Sequence, residues 1–154
     1  MTEECDESLI KLFILYLCMD FEQLKIKDYT YWEVGLHPNQ CYLGRVCIWA
    51  HREDDIDIID MSKEEREEFF DIASQVKKAL QELFQPDRMN YTNLQNESHH
   101  LHIHVIPRYE KPRFFYGIKF IDERWGSNPA PYNKKFKVPE SILNKIIDVI
   151  REKL

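Results

Sequence analysis

The segment Asn96–Tyr109, NESHHLHIHVIPRY, constrains the fold of this chain more than any other stretch. Three of its histidines take every second position, and they are His100, His102 and His104. The positions between and after them are apolar, namely Leu101, Ile103 and Val105. Successive side chains of a strand point to opposite faces. The alternation therefore predicts a strand over 99–106 with three imidazoles on one face, about 6.6 Å apart, and an apolar face that packs on a core.

Hydrophobic periodicity predicts the remaining elements. Helical spacing favours helices over 2–24, 62–84 and 139–153, and β-rich segments favour strands over 29–36, 45–50 and 87–94. Ser62 and Glu65 form a capping box at the start of the second helix, and Pro86 ends it. Residues 108–137 are expected to form an ordered loop in which Arg108 is a surface charge. Antiparallel strands with flanking helices predict an α+β fold.

Length and charge exclude several classes of protein. The 154 residues favour a single domain over 1–154, and the net charge of −6 argues against a nucleic-acid binder or an anionic-membrane binder. The apolar run over 9–19 is about half the length of a membrane span, and the acidic start MTEECDES is unlike a signal peptide. The four cysteines form no CxxC pair, so we expect reduced thiols in a cytoplasmic protein.

A row of imidazoles supports three chemistries. Three histidines can bind a catalytic zinc ion. An imidazole is also a general acid or base near neutral pH. Finally, one imidazole can attack phosphorus while its neighbours bind phosphate oxygens. The remaining interpretation is a solvated edge strand that is rich in histidine.

The segment His100–Ile106, HLHIHVI, resembles the signature of the histidine-triad (HIT) superfamily of nucleotide hydrolases and transferases. The flanking sequences NYTNLQN (90–96) and PRY (107–109) are similar to a bacterial and archaeal branch of that superfamily. The resemblance covers a core over 28–112. It implies one HIT-like domain with an antiparallel sheet, in which the predicted helices 2–24 and 139–153 are extensions of the core.

The resemblance implies a role for each triad residue. His102 corresponds to the nucleophile that attacks the α-phosphorus and forms a nucleotidyl-histidine intermediate. His100 and His104 correspond to the flanking members that orient this ring, contact phosphate oxygens and assist proton transfer. We further expect substrate contacts from six polar residues, which are His37, Asn39, Arg45, Asn93, Asn96 and Ser98.

Two departures from the family pattern stand out. Arg45 takes a position where members often carry another histidine, and a guanidinium cannot shuttle protons. The turn before the triad carries Glu97 rather than the usual Gly-Gln. No CxxC zinc pair occurs near the start, so neither a metal nor a cofactor is predicted.

The resemblance therefore predicts a homodimeric hydrolase of nucleoside phosphate derivatives, such as dinucleoside polyphosphates or nucleoside phosphoramidates, with no nucleic-acid or membrane partner. Three alternatives remain at this point. They are a nucleotide-binding regulatory module with little turnover, a nucleotidyltransferase that acts on sugar phosphates, and a zinc protein with three histidine ligands. The transferase is disfavoured because those relatives carry proline between active-site histidines, where Leu101 and Ile103 stand here.

Overall fold

A computed structural model of the chain describes residues 22–154. The helix predicted over 2–24 lies outside the described residues except for its last three positions, and so do Cys5 and Cys18. Within residues 22–154, no helix is long and apolar enough to cross a membrane.

Five antiparallel strands form the main sheet, in the order β1-β2-β3-β5-β4. Their bounds are Lys25–Asp28 (β1), Trp32–Leu36 (β2), Val46–Ala50 (β3), Arg88–Thr92 (β4) and His102–Arg108 (β5). The predicted α+β fold with an antiparallel sheet and flanking helices is confirmed. The apolar strand β3 lies at the centre of the sheet, as its composition predicts.

Two helices flank the sheet, α1 at Lys63–Phe84 and α2 at Glu140–Arg151. The capping box at the start of α1 is present, because Glu65 N donates to Ser62 Oγ and Ser62 N donates to a Glu65 carboxylate oxygen. Both helices bury one apolar face in the same core as the sheet, and the α1 face consists of Phe69, Ile72, Ala73, Val76, Leu80 and Phe84. The helices thus cover the apolar side of the strands and leave the opposite side for polar chemistry.

The turn between β2 and β3 depends on Gly44. Its φ is +81°, and a Cβ at this position would come within 2.8 Å of the Phe84 ring. A side chain is therefore excluded by both backbone conformation and space. Since Gly44 directly precedes Arg45, this turn helps to fix where β3 begins.

Three short strands differ from the sequence expectations. β1 was not predicted, and the expected loop 108–137 contains a separate hairpin of β6 (Arg113–Phe115) and β7 (Ile118–Phe120). Strands of three or four residues are too short to show a clear alternation of side chains. The predicted bounds of β5 were also wrong, since it begins at His102 and runs through Pro107. Pro107 is tolerated because β3 pairs with β5 only as far as Val105, which leaves β4 as the one neighbour there.

Arg108 is a buried residue and not the surface charge that the sequence predicted, with 4% of its surface exposed. Its guanidinium donates to both carboxylate oxygens of Asp122, at 2.7 and 3.1 Å, and to the carbonyls of Arg124 and Ser127. A buried charge needs such pairing. These bonds attach the segment 122–127 to the end of β5.

Candidate active site

The register between β3 and β5 places four side chains on one face of the sheet. Trp49 lies opposite His102, and Cys47 lies opposite His104. Residues directly opposite in an antiparallel pair share a face. The ring of Trp49 stacks on that of His102, with centroids 4.2 Å apart and planes within 19°. The rings of His102 and His104 are in edge-to-face contact at 5.0 Å.

His100 lies before β5 rather than within it, although the sequence predicted all three histidines on one strand. Extended pairing nevertheless continues there, because Ala50 N donates to Leu101 O. The His100 ring lies 5.6 Å from that of Trp49, and its Nε2 is 2.6 Å from the Ala50 carbonyl oxygen. A carbonyl is an acceptor only, so Nε2 of His100 carries the hydrogen.

The hydrogen bond of His102 determines its tautomer. Its Nδ1 lies 2.7 Å from the carbonyl oxygen of His100, so Nδ1–H donates and Nε2 keeps an unshared electron pair. The ring is 7% exposed and cannot tilt freely against Trp49. Burial lowers the pKa of His102 from its usual value. The residue is therefore a neutral imidazole with a basic nitrogen at neutral pH.

His104 has the opposite arrangement of donors and acceptors. Its Nδ1 lies 3.3 Å from Nη2 of Arg45 and 3.0 Å from Sγ of Cys47. A guanidinium has donors only. Burial raises the pKa of Cys47 to about 12, so this residue is a thiol at neutral pH and can donate too. Nδ1 of His104 therefore accepts, and Nε2 carries the hydrogen.

Burial and neighbouring charges keep the other rings of this face neutral as well. The pKa of His104 is lowered to about 4 by burial, the Arg45 guanidinium and His102. The pKa of His37 is lowered to about 3 by burial and then by Arg45. At pH 7 these imidazoles are hydrogen-bonding groups without charge.

The predicted ligand contacts His37 and Asn39 lie at the end of β2. The His37 ring is 5.5 Å from that of His104, so the structure brings it to the triad. Asn39 N donates to Nδ1 of His37 at 3.0 Å. The Asn39 side chain bonds to Cys41 N and to Asn133 O, and these contacts shape the turn.

Arg45 is 2% exposed, and it also lies beside the triad. The ring of Tyr132 covers its guanidinium at 3.8 Å. Within residues 22–154, Nε and Nη1 are buried without a hydrogen-bond partner. An unpaired buried donor costs about 1–3 kcal/mol, so a cation in this position calls for a functional reason.

The remaining predicted contacts lie on the segment that leads into β5. Asn93 donates to the carbonyl of His102 at 2.8 Å and to the Gln95 side chain at 2.9 Å. Its amide nitrogen therefore fixes the backbone of His102. Asn96 is exposed and Ser98 is half-buried in the turn before His100. Direct contact of Asn93, Asn96 and Ser98 with a ligand stays a prediction.

Among the described residues, one group beside the triad has the donor atoms for a metal ion, and it consists of His37, Cys47 and His104. The three ligand atoms lie within 4.8 Å of one another. A positive guanidinium lies 3.3 Å from Nδ1 of His104 and opposes a cation there. The three triad histidines do not form such a group in this part of the chain.

Sequence reasoning missed three residues of this face, Trp49, Cys47 and Tyr132. The first two are cross-strand partners, so the register of β3 against β5 would have identified them. Tyr132 reaches Arg45 from a segment 87 residues further along the chain, as the numbering shows. This segment is attached through the Arg108–Asp122 ion pair, for which the sequence carries no local signal.

Several known proteins are similar to this chain in sequence or in fold. Residues 50–111 match the family model for the HIT domain. No curated protein matches the sequence. Two crystal structures of histidine triad proteins are similar in fold. The one from Bradyrhizobium japonicum has 21% identity and a TM-score of 0.71, with 90% of this chain and 93% of that chain covered. The one from Sinorhizobium meliloti has 18% identity and a TM-score of 0.74, with 91% and 94% covered.

A third similar structure is that of a hypothetical histidine triad nucleotide-binding protein from Sulfolobus tokodaii. It has 13% identity and a TM-score of 0.67, and the match covers 92% of this chain and 90% of that chain. At these identities the three structures show a shared fold, while the HIT domain match includes the triad itself. Residues 50–111 therefore match a HIT domain, and the chain shares the fold of the histidine triad proteins.

Proposed function

We propose that this protein hydrolyses nucleoside phosphate derivatives at the α-phosphorus through a nucleotidyl-histidine intermediate on His102. One observation carries the proposal, the 2.7 Å bond from Nδ1–H of His102 to the His100 carbonyl. It leaves Nε2 as a nucleophile in a ring that Trp49 holds in place. The substrates that fit are dinucleoside polyphosphates and nucleoside phosphoramidates, which carry a leaving group on the α-phosphorus.

In the first step, the electron pair of His102 Nε2 attacks phosphorus. The P–N bond forms, and the bond from phosphorus to the leaving oxygen or nitrogen breaks. The leaving group takes that electron pair and then a proton. Imidazole suits this step because it is both a good nucleophile and a tolerable leaving group.

In the second step, water attacks the same phosphorus and the P–N bond breaks. The electron pair returns to Nε2 of His102, the attacking water releases one proton to the solvent, and a nucleoside monophosphate is released. Nε2–H of His104 donates a hydrogen bond to the charge that develops on the phosphoryl oxygens. A fixed donor of this kind stabilises the transition state in both steps.

Substrate contacts from His37, Asn39, Asn96 and Ser98 belong to this proposal. His37 is the best placed of them, because its ring lies 5.5 Å from that of His104.

The location of the protein in the cell is a separate part of the proposal. Two described thiols, Cys41 and Cys47, are buried and form no disulfide. Free thiols are typical of a reducing compartment, which supports a cytoplasmic location.

We also propose that the protein forms a homodimer through β4 and α1. β4 is an edge strand, so its backbone can pair with β4 of a second copy about a twofold axis. Next to it lies a groove of about 560 Å³ lined by Phe69, Phe70, Ala73, Tyr91 and Ile103 among others. Phe70 is 67% exposed there.

Sedimentation equilibrium tests the dimer. The wild type should be a dimer, and Phe70→Asp should weaken its association. Phe114→Asp, an equally exposed position on the β6–β7 hairpin, should leave the association unchanged. A monomeric wild type at tens of micromolar would contradict this assignment.

Release of nucleoside monophosphate from a panel of dinucleoside polyphosphates and phosphoramidates tests the hydrolase. We expect release by the wild type with and without chelator, and a loss of at least about 10⁴-fold in His102→Ala. The matched control is His99→Ala, because His99 is an exposed histidine paired with Asp55 away from the triad. Nucleotide binding without release from any member of the panel would refute the hydrolase. Release that survives in His102→Ala would refute its mechanism.

A further inference from the structure

Arg45 is the residue whose environment the proposed reaction leaves unexplained. It is buried beside the triad, just before β3, where its charge faces imidazoles and a thiol. Two of its three guanidinium nitrogens are inaccessible to solvent and lack a partner within residues 22–154. The third nitrogen, Nη2, is directed at Nδ1 of His104. The guanidinium thus contacts the ring of His104.

We propose that Arg45 is a positioning residue for His104. Stacked under Tyr132, its guanidinium donates to Nδ1 of His104 and holds that imidazole as the neutral Nε2–H tautomer. His104 then presents a hydrogen-bond donor, and not a base, to the phosphoryl group. This inference rests on the proposed hydrolase and replaces the direct substrate contact predicted for Arg45.

The chemistry of arginine makes this assignment definite. Arginine keeps its proton at all ordinary pH values and has no acceptor atom. A hydrogen bond between Arg45 and His104 therefore requires that Nδ1 of His104 is unprotonated and accepts. A histidine at the same position could take either tautomer and could therefore donate or accept. It would then allow His104 to carry its hydrogen on either ring nitrogen. Cys47 acts in the same direction, because its thiol donates to the same nitrogen.

The contacts of Tyr132 fix the plane of the guanidinium. Its ring covers the guanidinium at 3.8 Å and makes an edge-to-face contact with Tyr42 at 6.2 Å. Asn133, the next residue, accepts a hydrogen bond from the Asn39 side chain at 3.1 Å. The segment 132–133 is thereby bound to the turn that precedes Arg45. Cation–π stacking of this kind restricts a guanidinium to one orientation.

The titratable groups that face His104 are His37 just after β2, Arg45 just before β3, Cys47 on β3, and His102 on its own strand. Arg45 is the charged member of this set at pH 7, since the pKa values of the three imidazoles are lowered and that of the thiol is raised. Removal of the Arg45 charge should therefore raise the pKa of His104, while His102 keeps its carbonyl partner.

Long-range ¹H–¹⁵N spectra of the free protein labelled at histidine test this inference without substrate. In the wild type we expect the Nε2–H tautomer for His104 and the Nδ1–H tautomer for His102. Arg45→Gln should keep the tautomer of His104 but raise its pKa by about one unit, because a neutral amide still donates. Arg45→Met combined with Cys47→Ala should convert His104 to the Nδ1–H tautomer. The matched control is Arg52→Met, an arginine paired with Asp54 and Glu65 outside the site.

Kinetics supply a second readout. Arg45→Gln should lower kcat by about tenfold, less than the loss of a direct oxyanion donor, with KM changed less than about threefold. A His104 protonated on Nδ1 in the wild type would overturn the inference, and so would an unchanged His104 pKa in Arg45→Gln. A large rise in KM at constant kcat would instead assign Arg45 to direct substrate binding. Since the spectra need no turnover, an inactive wild type with the expected tautomers would refute the hydrolase alone.

Discussion

The two ends of the histidine row differ in the groups that face their rings. At the His100 and His102 end, each ring donates to a backbone carbonyl, and Trp49 packs against both. At the His104 end, an arginine and a thiol donate to the ring. Two imidazoles that are two residues apart on one strand therefore carry their protons on opposite nitrogens. The neighbours of each histidine, and not its position in the motif, decide which ring nitrogen carries the hydrogen.

Loss of the Asp122 carboxylate should have the largest effect on stability. It concerns the His104 end of the row, because the segment that Asp122 attaches carries Tyr132, which stacks on Arg45. Asp122→Ala leaves the Arg108 guanidinium buried without its partner and should lower the free energy of unfolding by about 3–5 kcal/mol. Urea denaturation measures this. The control is Glu67→Ala, which breaks the exposed Lys63–Glu67 pair and should cost less than about 1 kcal/mol. Equal effects of the two variants would show that the Arg108–Asp122 pair does not fasten the 122–133 segment.

Substitution of His104 tests its role as a donor. His104→Ala removes Nε2–H and should lower kcat by about 10²–10³-fold, the loss typical of one oxyanion donor. His104→Asn retains an amide donor and should recover part of that loss. Steady-state kinetics on one substrate separate the two variants. If both variants lost the same activity, an acid–base role would replace the donor role.

Removal of the Trp49 ring should make the rings of His100 and His102 less rigidly held, because Trp49 packs against both. An aromatic contact of this kind contributes about 0.5–1.5 kcal/mol beyond area burial. Trp49→Leu should therefore lower kcat by about three- to tenfold, and Trp49→Phe should lower it less. The ¹⁵N spectrum of His102 should stay in the Nδ1–H form in both variants. A change of tautomer in Trp49→Phe would mean that stacking, and not the His100 carbonyl, selects it.

The pH profile of kcat/KM should show the smallest effect, a displacement of its acid limb. The pKa of His102 is lowered, and that of His104 is lowered to about 4. Both rings therefore stay neutral down to a lower pH than an ordinary imidazole, whose pKa is about 6.5. We therefore expect kcat/KM, which reports the free enzyme, to fall only at a pH below that value. A midpoint at 6.5 or above would show that the rings are not desolvated as described.

The same shifts predict how stability depends on pH. An imidazole whose pKa is lowered by folding binds fewer protons in the folded state than in the unfolded state. Stability therefore falls as the pH drops from about 6.5 towards 4. His37 takes part, since its pKa is lowered to about 3. Thermal unfolding at several pH values should show a smaller loss of stability in acid for His37→Gln than for the wild type, and an equal loss would contradict the lowered pKa of His37.

The sequence predicted those features of the fold that depend on local patterns. The capping box and apolar face of α1, the final helix and the alternation around His102 are encoded in neighbouring residues, and each is present. The hairpin β6–β7 was missed because three-residue strands give no alternation. Arg108 was misjudged because its partner, Asp122, is 14 residues away and identified only by the fold.

The sequence indicated the triad as the candidate site but did not indicate its electrostatics. The choice of the triad follows from the spacing of the histidines, and the roles proposed for them follow from the family resemblance. The contacts of Trp49 and Cys47 depend on strand register. The tautomers depend on single hydrogen bonds of about 3 Å. Such bonds are set by tertiary structure, so no spacing rule could have distinguished His102 from His104 in this respect.

Detection of a covalent intermediate is the decisive measurement. Wild-type protein mixed with a dinucleoside polyphosphate and quenched in alkali within milliseconds would be analysed by mass spectrometry of the intact chain and its peptides. We predict a mass increase equal to one nucleotidyl group, located on His102 and absent in His102→Ala. Turnover without any adduct, together with inversion of configuration at the α-phosphorus, would show that water attacks directly and would contradict the nucleophilic role of His102.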